Sequence, residues 1–256
     1  MEAHAIPTTT VGAAGRDQRP SLSRLTKVEL RKALDTRAGF WLQLAVLGLT
    51  VITVMITAAA GHTDDKTFRH MLANALIPAS VLLPVIGILL VSSEWSQRTA
   101  LVSFSLVPAR PRLIAAKALA GIVIGLAAFV VAIVFAALGT AVASPNIHDV
   151  WSLPIGLVGQ DLVFVTTSML IGIAFGAAIL ASAPAIVIFF ALPTAIGALG
   201  SIHSIEGTVE WLNSQPSLET VMSGHEWAQS LVMFVLWIAL PLAIGLWRIT
   251  RRDLAA

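Results

Sequence analysis

The chain contains no cysteine. Disulfides, thiolate nucleophiles and cysteine-ligated metals are therefore excluded. Charge is scarce as well: 12% of the 256 residues are Asp, Glu, Lys or Arg, where a soluble domain carries roughly 25%. No Gly-Lys pair occurs anywhere, so the phosphate-cradling loop of a nucleotide hydrolase is missing. No His-Glu-x-x-His occurs, and no pair of carboxylates falls inside one apolar run. Both absences argue against intramembrane proteolysis. The six histidines are scattered without ligand spacing, so no metal site and no bound cofactor are expected. Nothing in the sequence points to nucleic acid.

What is abundant is apolar side chain, at 57% of residues with a mean hydropathy of +0.86. A globule of this size could not bury that much in one core. A bilayer solvates apolar faces all round a helix, and a span needs about 20 apolar residues. Six runs qualify, at about 40–60, 71–92, 113–143, 156–181, 183–200 and 228–247. The expected fold is all-α and polytopic, in one membrane domain over 23–248. A polar tail over 1–22, with no apolar core or small-residue cleavage site, precedes it, and a short tail over 249–256 follows. The fourth and fifth runs are parted only by Ala181-Ser182-Ala183-Pro184, where proline is expected to break the helix.

Charge sets an orientation. Under six spans, 14 of the 16 Lys and Arg residues share one side, and only Lys66 and Arg69 lie opposite. Asp64, Asp65, Asp149, Glu206, Glu210, Glu219 and Glu226 sit with those two. The positive-inside rule then predicts a multi-pass plasma-membrane protein with both termini cytoplasmic.

Two cytoplasmic segments stand out. Over 23–38, Leu25, Val28, Leu30 and Leu34 alternate with Arg24, Lys27, Arg31 and Lys32 at helical spacing. That pattern predicts a basic amphipathic helix lying on the headgroups, or else only a charged stop beside the first span. Between spans two and three, Glu94 and Arg98 stand four apart, a favourable helical pair. Trp95, Leu101, Val102, Phe104 and Leu106 add apolar surface, and Pro108 and Pro111 end the segment. A short helix bearing apolar residues outside the spans is a docking surface for another protein, or else a helix resting on lipid. Within the spans, Asp161 is the one carboxylate, with Gln160, Thr166, Thr167 and Ser168 near it. It reads as an interfacial residue in water or, alternatively, as a pathway contact along with Gln160 and Thr167. Gly121-x-x-x-Gly125 and Gly172-x-x-x-Gly176 are close-approach motifs, open to use between or within subunits. Over 201–227, Trp211 and Trp227 suit a membrane interface, in a segment that either dips back to the bilayer or stays solvated.

The pattern Glu94-Trp95, Thr99, Pro108-Ala109-Arg110 and Lys117 resembles the ABC-2 type permease family, together with Glu29-Leu30-Arg31-Lys32 and Arg251-Arg252-Asp253. The family more often has Tyr where Trp95 stands. The resemblance implies a membrane-spanning half-transporter without catalysis of its own. Two such subunits would pair, each engaging one of two separately encoded ATPases that hold ATP and Mg. A coupling helix over 94–107 would dock there, with Glu94 and Arg98 as a hinge. Trp95, Thr99, Phe104 and Arg110 would contact or orient the partner. The cargo would be hydrophobic or amphipathic. An ion-coupled carrier built on Asp161 and a non-transporting scaffold or sensor are the competing expectations.

Overall fold

The computed structural model describes residues 20–62, 66–97, 110–144, 150–151, 155–199, 211–212 and 227–251. Among them every regular element is a helix. In chain order these are α1 (Leu22–Asp35), α2 (Arg37–Ala60), α3 (Phe68–Ser96), α4 (Arg110–Ala143), α5 (Ile155–Ile179) and α6 (Ser182–Leu199). The last rod is continuous, running through α7 (Trp227–Phe234), a π-helical turn (Val235–Ala239) and α8 (Leu240–Arg251). Among the described residues six helices are long and apolar enough to cross a membrane: α2 to α6 and the rod Ala228–Arg251. The protein is a multi-pass helical membrane protein.

Thr36 makes the elbow between α1 and α2. It ends α1 with its N–H on the Lys32 carbonyl, and its hydroxyl accepts from the Gly39 N–H that opens α2. A β-carbon at Gly39 would strike the Ala33 carbonyl, so only glycine allows so sharp a turn. Gln43 then donates to the carbonyls of Ala33 and Gly39. On α1 itself, Leu25, Glu29 and Ala33 are buried along one face, while Arg24, Lys27 and Arg31 are exposed. Leu25 packs on Ala116 of α4. A helix forms over these residues, and its buried face lies on protein and carries a carboxylate.

α3 is the hub, packed by α2, α4, α5 and α6. Its contact with α5 is backbone on backbone. A methyl at Gly176 would stand 2.7 Å from the Ile88 carbonyl, one at Gly87 the same distance from the Met169 carbonyl, and one at Gly172 would overlap Pro84. Gly121 and Gly125 of α4 press on α5 side chains, Ile173 and Val165 among them. Both close-approach motifs are thus used inside the subunit. Lipid gives helices no hydrophobic reason to associate, so small residues that bring backbones together supply the packing.

The helices α5 and α6 part at Leu180, whose φ is 58°, not at the proline. Left-handed residues commonly end helices, at a cost for any residue but glycine. Pro184 falls in the first turn of α6, where no intrahelical N–H is needed. In the last rod, Leu240 N–H donates to the Val235 carbonyl. Pro241 follows without an N–H to offer Trp237, so the π turn absorbs a local mismatch. Outward, α2 and α6 leave large apolar residues exposed, including Trp41, Met55, Val187 and Phe190. Such faces suit lipid contact.

Candidate functional site

The ends of α1, α3, α4, α8 and the α5–α6 turn converge at one end of the bundle. At their centre is Lys117, eight residues into α4 and 3% exposed. An ammonium has three donors, and each is used. Nζ lies 2.6 Å from Glu29 Oε2, 3.0 Å from the Leu90 carbonyl and 3.1 Å from Glu94 Oε1. Glu29, 2% exposed, also accepts from Lys32 at 2.8 Å, and Lys32 reaches Glu94 at 2.9 Å. The four charges alternate in a closed ring, Glu29–Lys117–Glu94–Lys32, with zero net charge. An isolated buried charge is prohibitively costly; here each finds two opposite partners. Burial pulls the Lys32 ammonium down, but its hydrogen bonds to Glu29 and Glu94 and their negative charge prevail, so its pKa sits above the usual 10.5.

Neutral contacts extend the tie around this end. Ser182 Oγ lies 2.9 Å from Ser92 Oγ and 3.1 Å from Ser96 Oγ, and Ser182 N–H donates to Ser96. Arg248 donates to the Ala178 carbonyl at the close of α5. Arg110, the first residue of α4, donates to the carbonyls of Ile249 and Thr250. A helix C-terminus leaves carbonyls unsatisfied, and an arginine there supplies both donors and favourable charge. The circuit runs α1–α3–α6/α5–α8–α4 and back to α1.

A cavity of about 440 Å³ opens beside the ring. Its floor is Glu29, Lys117, Glu94 and Lys32; Leu42, Ile86 and Leu89 wall it; Thr36 and Ala38 stand at its rim. A second, smaller cavity of about 50 Å³ lies between α3, α5, α6 and the π turn, lined by Ser80, Thr167, Ser168 and Trp237.

Of the residues anticipated as a docking element, Glu94 belongs to the ring. Trp95 is half-buried against the main apolar cluster. Arg110 ties α4 to α8. Arg98, Thr99 and Phe104 lie outside the described residues. Of the basic residues expected at a membrane interface, Lys32 joins the ring, and Arg24, Lys27 and Arg31 are exposed. The pathway residues are not gathered. Thr167 lines the small cavity, whereas Gln160 and Asp161 lie half-buried about two turns earlier on α5. Among the described residues no cluster of three metal-ligating side chains occurs.

Sequence reasoning missed Glu29 as a buried partner, although it stands midway between Leu25 and Ala33 at i+4 steps on the apolar face. It also missed Ser182, Arg248 and Trp237. Trp237 Nε1 donates to the Leu212 carbonyl at 3.1 Å, drawing part of the 201–227 connection down alongside the last rod.

No protein-family profile matches this chain, and no curated protein sequence matches it.

Proposed function

We propose that the chain is the membrane-spanning subunit of an ATP-driven exporter, paired with a second permease subunit and driven by two separate ATPase subunits. It sits in the plasma membrane with the ring and both termini on the cytoplasmic side, as the distribution of lysine and arginine favours. The observation that carries this reading is the charged ring. Glu94 lies in the last turn of α3 and Lys117 two turns into α4, so the ring ties the helices on both sides of the 98–109 connection to α1. A partner pressing on that connection would move three helices together. Closing and opening of an ATPase would then bias two membrane arrangements, with no covalent chemistry in this chain. ATP and Mg belong to the partner. The resemblance at Glu94-Trp95, Thr99, Pro108-Ala109-Arg110 and Lys117 supports the same reading. The cargo is hydrophobic or amphipathic, in keeping with spans that carry few polar groups.

Purification from native membranes and reconstitution test this. A nucleotide-hydrolysing subunit should co-purify, and export from liposomes should stop when ATP is withdrawn. Glu94→Ala should leave insertion intact while cutting the transport obtained per ATP hydrolysed. Transport persisting without ATP and abolished by Asp161→Asn would replace this reading with an ion-coupled carrier. A co-purifying ATPase with no cargo movement and no cargo-stimulated hydrolysis would leave a scaffold or sensor.

A further inference from the structure

The cavity beside the ring has the make-up of a ligand site, and its chemistry names the ligand class. At about 440 Å³ it falls in the range of pockets that hold small organic molecules. Its lining joins the aliphatic side chains of Leu42, Ile86 and Leu89 to the ionic ring and to polar groups such as Ser93 and Gln97. A ligand that satisfies both must itself have an apolar tail and a polar head.

The head can be specified further. Lys32 uses two of its three N–H donors, on Glu29 and Glu94, and its side chain is 43% exposed. The Ser93 hydroxyl and the Gln97 amide, both at the cavity, have no partner among the described residues. These groups suit a phosphate or carboxylate. A purely anionic head would also meet the carboxylate of Glu94, and a purely cationic one would meet the ammonium of Lys32. Like charges brought together in a partly dry site are strongly disfavoured. A head carrying both signs avoids both penalties. We propose that this cavity binds a zwitterionic amphiphile, its anionic group on Lys32, Ser93 and Gln97, its cationic group toward Glu94, and its tail along Leu42, Ile86 and Leu89. As a statement about binding, this stands without the export reading. As a statement about cargo it rests on that reading, and it makes the cavity the place where cargo is first taken up.

The test uses the full chain in nonionic maltoside micelles and three probes with the same tail: dodecylphosphocholine, dodecyl phosphate and dodecyltrimethylammonium. Native mass spectrometry and calorimetry should show one saturable site that holds the phosphocholine roughly tenfold more tightly than either singly charged probe, the worth of one charge-assisted hydrogen bond. Lys32→Gln should erase that advantage. Ala38→Trp at the rim and Leu89→Trp in the wall should each remove binding while circular dichroism shows unchanged helix content. Two-chain phosphatidylcholine binding with the same variant sensitivity marks bilayer lipid as the source; saturation by the single-chain probe alone marks a free amphiphile. Equal binding of the three probes, or full binding in both tryptophan variants, would overturn the assignment. Neither readout involves an ATPase, so failure here is distinguishable from failure of the export mechanism.

Discussion

Replacing Lys117 by Met removes the centre of the ring while keeping an unbranched, apolar side chain of similar length in its place. Three hydrogen-bonded contacts go at once, to Glu29, Glu94 and the Leu90 carbonyl. The severe consequence falls on Glu29, which stays 2% exposed with Lys32 as its sole remaining described partner. Breaking a buried pair by removing one member costs about 3–5 kcal/mol. Since Lys32 still compensates part of the Glu29 charge, about 3 kcal/mol is expected. Glu29→Met should cost a similar amount, because it leaves Lys117 buried beside Glu94 alone. The double variant removes one positive and one negative charge together and leaves the Lys32–Glu94 pair at 2.9 Å. It should cost far less than the sum of about 6 kcal/mol, with a coupling energy of about 2 kcal/mol or more. Reversible unfolding in mixed micelles, followed by helix content, measures all four proteins. Additive losses, or a Lys117→Met protein as stable as the parent, would refute the view that the two groups share one buried site.

Two further outcomes are expected. Gly172→Ala should destabilise by about 2 kcal/mol, because its methyl would overlap Pro84 backbone and force α3 from α5. Gly159→Ala on the same helix meets nothing within 4 Å and should be neutral or slightly stabilising in the same unfolding assay, since alanine is the better helix former; similar losses in both would show that the close approach at Gly172 is not what makes its methyl costly. The second outcome concerns pH. Lys32 has its pKa raised in the folded protein, so its contribution to holding α1 is complete below the ordinary lysine value and is lost as pH rises through the folded one. A spin label on Lys27→Cys, in a chain with no other cysteine, should report a docked α1 from neutral pH to about pH 10, loosening only in stronger alkali. Loosening well below the ordinary lysine value of 10.5 would show that Glu29 and Glu94 do not hold Lys32 as described.

Legibility in the sequence followed the range of the interaction. The run expected at 71–92 is α3, and the one at 183–200 is α6, each within a few residues. The break between the fourth and fifth spans is expected over 181–184, because proline is the visible breaker. The chain turns at Leu180 instead, a residue with no local signal for a left-handed conformation. The glycine motifs were readable as close-approach faces, but not which helix approaches them. Glu94 and Lys117 were both visible by resemblance, yet the partner that joins them, Glu29, is 88 residues from Lys117 in the chain.

Composition alone determined that this chain carries helices long and apolar enough to cross a membrane, six among the described residues, and charge order alone predicts on which side its basic residues fall. Both follow from local quantities, the length of an apolar run against the thickness of a bilayer and the side on which lysine and arginine fall. Tertiary structure decided what those basic residues do. Arg24, Lys27 and Arg31 are exposed, whereas Lys117 is buried and the half-exposed Lys32 reaches the same two carboxylates beside a cavity. Helical spacing shows which residues share a face, but an ion pair between distant helices exists only once packing brings their ends together.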